Sequence, residues 1–329
     1  MYPLSERVNE IRNLTEIDNY RKEHLLRRNM TKWLMLGSCM NTIEITEKGL
    51  ESFLTEDTDS SGTGKNYLRI SGALQILVTQ QEAVKNLHNA LDIKLPKDSS
   101  IKKVVENIQR IRVSATGHPT DIKIGKKEKA FGYINGRNFG PQGFELFTDY
   151  PEGDPRFKHA PEKDLRYQHE YVDIPHLIAT QKDILIGVLD KVIETLREEE
   201  IAHRKKFTGE KLTKVLQITD PFFSYICEAA TLPNSIHIQG VDSYVDGILE
   251  SIEKFKREVK DREEPDHTFS WRYEYLENAL QRVKDCFHKV NGTHFNKKNA
   301  YAFARFAQQE VKELKEIAKE IDERYAAAV

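Results

Sequence analysis

The sequence predicts a mainly α-helical protein, built as two successive helical bundles with a β-hairpin inserted in the first. Three observations predict it. Apolar residues recur at three- and four-residue steps through most of the 329 positions, the period of amphipathic helices. Clusters of Gly, Pro, Asn and Ser interrupt that period at short intervals, as helix connections do. One window, 122–150, replaces it with aromatic residues flanking a turn-prone NGRNFGPQG, which reads as a hairpin with a long loop.

Residues 5–28 form a charged helix with Val8, Ile11, Leu14 and Ile17 as its apolar stripe. In the next helix, 31–54, Trp33, Leu36, Met40, Ile43, Leu50 and Phe53 share one face, and Thr31 is the expected N-cap. The polar TEDTDSSGTGKN (55–66) reads as a linker. Its GTGK lacks the phosphate-loop pattern, because Asp59 stands where the first Gly is needed and Asn66 where Ser or Thr is needed. Helix 67–91 aligns Tyr67, Ile70, Leu74, Leu77, Val84, Leu87 and Leu91, with Gln80, Gln81 and Glu82 expected on its solvated face. Pro96 and Lys97 turn the chain. Ser99 or Ser100 then caps a third helix, 100–114, that points Ile101, Val104, Val105, Ile108 and Ile111 inward.

In the hairpin, Phe131 and Tyr133 face Phe144, Leu146 and Phe147 across the turn. HAPEKDLRYQHEYVDIP (159–175) reads as a loop or short extended arm, and its histidines lack metal-ligand spacing. A long helix, 176–207, buries Ile178, Leu185, Val188, Leu189, Val192 and Leu196. Helices near 210–230, 241–260, 270–290 and 298–325 follow, separated at Gly209, Pro233, Pro265 and Gly292. Glu and Lys at i, i+4 in the last one suit a surface or pairing helix. The expected division is an N-terminal helix (1–30), a first bundle (31–207) and a second bundle (208–329).

Composition narrows the function. Fifty Lys and Arg against 52 Asp and Glu give a net charge of −2, so a nucleic-acid site has to be a local patch. Cys39, Cys227 and Cys286 are too far apart to form a metal cluster and read as thiols of a reducing compartment. The polar N-terminus has no signal-peptide core, and no window reaches the roughly 18 apolar residues of a membrane span. A cytoplasmic protein with no membrane partner is expected. Nucleophile-elbow and dinucleotide motifs are absent, so no cofactor is expected. Glu200-x-x-His203 is half of a carboxylate-bridged di-iron signature. No second half exists in the bundle helices, so no metal site is expected there. The charged turn it lies in suits a helix C-terminus.

The chemistry gathers in residues 108–121, IQRIRVSATGHPTD, where a helix end, a glycine and a proline surround Arg112 and His118. A guanidinium clamps a phosphate with a planar fork of donors. An imidazole moves a proton near neutral pH. Arg-x4-5-His spacing recurs at Arg197/His203, Arg262/His267 and Arg282/His288, but only Arg112/His118 straddles the end of a bundle helix. A purely structural reading has Arg112 paired to a carboxylate of a neighbouring helix and Gly117-His118-Pro119 acting as a rigid helix stop.

This helix pattern with Arg-x5-His is similar to the HEPN superfamily of helical bundles. YLRISGALQILVTQQEAVKNLHNAL, IRVSATGHPTD, a hairpin ending in GFELF, and VDIPHLIATQ together resemble bacterial HEPN-like proteins over roughly residues 30–207. The resemblance implies an up-and-down HEPN-like bundle and a metal-independent endoribonuclease of toxin–antitoxin or antiphage systems, its site formed across a homodimer. It implies Arg112 and His118 as catalytic residues, Ser114 and Thr116 as support, and Arg110, Arg204, Lys205 and Lys206 as RNA-binding residues. An antitoxin or other protein partner follows from the same setting. Active members carry a polar residue after the Arg, where this chain has Val113. A non-catalytic HEPN-like scaffold or sensor, binding a nucleotide, RNA or protein partner, is the alternative.

Overall fold

The computed structural model describes residues 2–16, 21–22, 29–56, 62–117, 122–124, 128–149, 167–232, 234–264, 269–288 and 296–327. For 117, 122–124, 128–131, 137–138 and 167–168 it describes the backbone alone. The protein is mainly helical. It divides into two compact units: Met1–Leu14 with Asn29–Leu196, and Thr15–Arg28 with Arg197–Val329.

The first unit contains helices α1 (Pro3–Glu16), α2 (Met30–Thr55), α3 (Thr63–Ala90) and α4 (Ser99–Arg112), then a π turn (Val113–Gly117). Strands β1 (Ile122–Ile124), β2 (Glu128–Phe139), β3 (Gly143–Asp149) and β4 (Tyr167–Asp173) follow, and then helix α5 (Ile174–Lys205), whose residues beyond Leu196 belong to the second unit. From 30 to 205 the helix periods read from the sequence are found in the structure, with shifted starts; of the expected helix 5–28, α1 covers the part to Glu16, and residues 17–20 and 23–28 lie outside the described residues. α2 is capped by Asn29, whose Oδ1 accepts from Lys32 N at 3.1 Å, and not by Thr31. α4 is capped by Asp98, which accepts from Ser100 N at 2.8 Å and Ser100 Oγ at 2.7 Å. A carboxylate opposite the helix dipole is the stronger cap. α3 begins at Thr63, so Gly64, Lys65 and Asn66 belong to its first turn.

α1 is grouped with the first unit. Leu4, Val8 and Ile11 are buried, and Glu47 of α2 accepts from Leu4 N at 2.9 Å and Ser5 N at 2.8 Å. One carboxylate thus satisfies two of the amides that every helix start leaves open.

Gln80 and Gln81 are not on a solvated face. They are 1% and 6% exposed, while Glu82 is exposed. α3 packs against α2, α4 and β2, and the face that carries Gln80 and Gln81 is covered, so their amides find partners inside. Gln80 Nε2 donates to Thr46 Oγ1 of α2 at 3.2 Å. Gln181 Nε2 of α5 donates to Gln80 Oε1 at 3.0 Å and to Leu77 O at 3.1 Å. Gln81 Nε2 donates to Gln181 Oε1 at 2.6 Å.

The inserted β structure is a four-stranded antiparallel sheet, in the order β1-β2-β3-β4, and not a two-stranded hairpin. β4 lies where a loop or short arm was expected. It pairs with β3 from Gly143↔Asp173 to Asp149↔Tyr167. A register of that kind depends on a partner strand about 24 residues away, which local composition does not encode. Phe144, Leu146 and Val172 join Ile70, Leu74 and Leu77 of α3 and Ile108 and Ile111 of α4 in one core. Gly143 is required at the β3 start, because a Cβ there would stand 2.4 Å from Val172 O.

The second unit contains helices α6 (Leu212–Gln217), α7 (Thr219–Thr231), α8 (Val241–Asp261), α9 (Ser270–Phe287) and α10 (Lys297–Ala326). α10 was expected as a surface or pairing helix, and it pairs. Its charged face is outward, but Ala300, Ala304, Ala307, Val311, Leu314, Ala318 and Ile321 form a buried stripe against α6, α7 and α9. Asp322 caps α6, accepting from Leu212 N at 2.8 Å and Thr213 N at 3.0 Å. Arg262, at the C-cap of α8, is 1% exposed. Its guanidinium lies 4.9 Å from the Phe207 ring centre and 6.0 Å from that of Tyr325, and donates to Glu258 Oε2 at 2.8 Å and Glu210 O at 2.6 Å. All three cysteines are free thiols. Among the described residues, no helix is long and apolar enough to cross a membrane.

Two predictions follow from this packing. Removing a buried, fully bonded cation strands its partners, so Arg262→Ala should cost the second unit about 3 kcal/mol in urea unfolding. A cost below about 1 kcal/mol would show that the aromatic sandwich holds without its cation. Burial also lowers the pKa values of His88 and His203 from 6.5. The unfolded chain therefore takes up protons that the folded chain refuses. Stability is full above about pH 6.5 and falls as pH drops below it, down to the folded pKa values. The urea midpoint should fall between about pH 7.5 and pH 5.5, and His88→Gln with His203→Gln should flatten that segment. An unchanged slope in the double variant would refute the assignment.

Candidate functional site

α4 presents the sequence's candidate site at its C-terminal end. Ile108 and Ile111 anchor one face of the helix in the core. Helical hydrogen bonding widens into the π turn, where Ala115 returns to the same core. Such a turn is often found at functional positions. Thr116 Oγ1 donates to Arg112 O at 3.0 Å, tying the turn to the helix end. Ser114 is 1% exposed, and its buried Oγ has no hydrogen-bond partner among the described residues. Neither side chain extends into solvent as a supporting group; Thr116 braces the backbone instead.

Arg112 is held from α3. Its Nε and Nη2 donate to Gln75 Oε1 at 3.2 and 2.9 Å. The Gln75 amide is itself oriented, because its Nε2 donates to Thr79 Oγ1 at 3.3 Å. The structural reading of the sequence had a carboxylate opposite Arg112; the partner is a neutral amide. Among the described residues the guanidinium is thus aimed without being neutralised, and Nη1 has donors open to an anion.

Arg110 differs. Its Nη1 pairs with Glu170 Oε1 of β4 at 2.6 Å, and its Nη2 donates to Asn107 Oδ1 at 2.9 Å, so it ties α4 to the sheet. His118, Pro119, Thr120 and Asp121 lie outside the described residues. His267, of the Arg262 match, also lies outside them.

Arg204, Lys205 and Lys206 belong to the second unit, whereas Arg110 and Arg112 belong to the first. Arg204 is bonded to Glu200 and to Arg324 O. Lys205 and Lys206 are exposed. Glu200 and His203 each bond elsewhere in the second unit. Glu200 holds Arg204, and His203 Nε2 donates to Arg262 O at 3.0 Å. Among the described residues, no group of three or more His, Cys, Asp and Glu could hold a metal ion. His288 pairs with Asp242 at 3.2 Å, which gives the Arg282 match a structural partner.

Sequence reasoning missed Gln75. It lies between Leu74 and Ile76 on α3, and a single polar residue there carries no periodic signal. What marks it is its position across from the end of α4, a tertiary relation. The arrangement can bind and orient one anionic oxygen group beside the α4 terminus.

Comparison with family models, curated proteins and solved structures finds no match to this chain.

Proposed function

We propose that the first unit is a HEPN-like bundle carrying a metal-independent endoribonuclease site, in the setting of a toxin or antiphage system, active as a homodimer. The observation that supports this is the Arg112 guanidinium, held by neutral Gln75 at the α4 terminus with its charge intact. In this reading Arg112 grips the scissile phosphate, and His118 serves as general acid/base. The 2′-OH loses its proton as it attacks phosphorus, and the 5′-oxygen leaves as it gains one. The cyclic phosphate and the 5′-hydroxyl are the products. Arg112 donates to the negative charge that grows on the phosphorane.

Thr116 braces the turn at the end of α4 through its bond to Arg112 O, and Ser114 is buried within it. Lys205 and Lys206, exposed on the second unit, contribute to RNA binding. Arg110 and Arg204 do so only by releasing Glu170 and Glu200. One observation favours the alternative of a non-catalytic scaffold or sensor that binds a nucleotide, RNA or protein partner: Val113 offers no hydrogen bond directly after Arg112.

Incubation of the full chain with total RNA in EDTA decides between the two. The wild type should cleave. Arg112→Ala and His118→Ala should each lose about 10²-fold or more while keeping the wild-type melting curve, because Arg112 makes no buried contact. RNA retained on the wild type without cleavage, across several RNA pools, would replace the nuclease by the scaffold.

A further inference from the structure

The inserted sheet has two unlike faces. Register places Ile134, Phe144, Leu146 and Val172 on the face that packs on α3 and α4. Their neighbours along each strand point the other way. There β2 carries Tyr133 and Asn135, β3 carries Glu145, Phe147 and Asp149, and β4 carries His169 and Tyr171. From Tyr133 to Asn135, and throughout β3 and β4, no Leu, Ile, Val or Met occupies this outer face. What it offers is rings.

Three of the rings form a row across the strands. Those of Tyr133 and Phe147 are 5.3 Å apart and 9° from parallel; those of Phe147 and His169 are 5.6 Å apart and 24° from parallel. Tyr133↔Phe147↔His169 is also the ladder register, so backbone pairing sets the stack. β4 is the edge strand, and the exposed His169 ends the row there. Two residues along, about 7 Å away, Tyr171 is 63% exposed. A Cβ on Gly143 would stand 2.7 Å from the Tyr171 hydroxyl oxygen and 2.9 Å from its Cζ. The glycine therefore gives this ring room to lie against the sheet. Two exposed rings stand side by side on one rigid strand.

Rings held in this way bind unpaired nucleobases, since every base has a face to stack. Register also puts Lys129, and Lys123 opposite it, on the same face at the β1 end, where a phosphate backbone finds positive charge. Glu145 and Asp149 offset those two lysines in number, so stacking has to supply most of the affinity. We propose that the outer face of the sheet binds single-stranded RNA, with unpaired bases stacking on His169 and Tyr171. The choice of RNA rests on the reading of the first unit as an RNA-cleaving domain; the stacking platform does not.

Fluorescence anisotropy of a short dye-labelled single-stranded RNA tests it, with the full chain carrying His118→Ala throughout so that cleavage does not intervene. Adding His169→Ala or Tyr171→Ala should weaken binding about tenfold each. Tyr171→Phe, which keeps the ring, should bind like the parent, whereas Tyr171→Leu, which keeps only apolar area, should lose as much as Tyr171→Ala. The same sequence as a duplex, its bases already stacked inside, should bind at least about tenfold more weakly than the single strand. Unchanged affinity in the His169→Ala/Tyr171→Ala double variant, equal binding of duplex and single strand, or no binding by the parent would overturn the proposal. Tighter binding of single-stranded DNA would overturn the choice of RNA. If the wild type cleaves no RNA while the ring variants lose binding, the nuclease reading fails alone. If it cleaves and the double variant still binds normally, the platform fails alone.

Discussion

The first unit depends on a directed run of side-chain amides crossing three of its helices. Thr46 on α2, Gln80 and Gln81 on α3, and Gln181 on α5 bond in one order only, because the run is anchored at Leu77 O and Thr42 O, which can do nothing but accept. Each bond contributes on the order of 1 kcal/mol net, but leaving any member unpaired costs more than that. The run therefore acts less as glue than as a gauge. A shift of α5 by one residue along α3 would strand several buried amides at once. Such networks fix the mutual position of helices whose apolar faces alone would tolerate sliding.

With the helices fixed in this way, α3 becomes the reference for what surrounds it. One face carries Ile70, Leu74 and Leu77 into the core shared with the sheet. Another carries the glutamines. A flank carries Gln75, which reaches the end of α4 and aims Arg112. A carboxylate at that position would make a surface ion pair of little structural value and would cancel the charge. A neutral amide costs no charge and still sets direction. Carboxylates are used instead where a helix has to be started: Glu47 holds the first amides of α1, and Asp322 those of α6, each from a residue far along the chain.

Much of this was legible in the sequence, for a physical reason. A helix that buries one face repeats its apolar residues every three or four positions, and that repeat located the long helices α2, α3, α5, α8 and α10. Caps were legible by type more than by place: Asn29 and Asp98 won over Thr31 and the serines because the helical backbone starts one or two residues earlier. β4 was hidden, since its stability lies in Phe144, Leu146 and the ladder they belong to. Gln80 and Gln81 misled, because a polar residue in mid-helix means water only when nothing packs over it. Of the candidate site, Arg112 and its helix end were legible. Its holder Gln75 was not, because their meeting is a contact across 37 positions. Nor could the local sequence show that Arg110 already serves Glu170, whereas Glu200 and Arg204 are an i, i+4 helix pair that spacing alone does offer.

The central claim is that Arg112 is oriented by a neutral partner so that its charge remains for a phosphate. Replacing that partner by its charged isostere, Gln75→Glu, keeps shape and contact and changes only the charge. The measurement is RNA cleavage in EDTA by Gln75→Glu beside the wild type, with unfolding curves to show that both fold equally. The account predicts unchanged stability and a loss of about 10²-fold in cleavage, as the carboxylate occupies the guanidinium. A Gln75→Glu protein that cleaves RNA as fast as the wild type would contradict it.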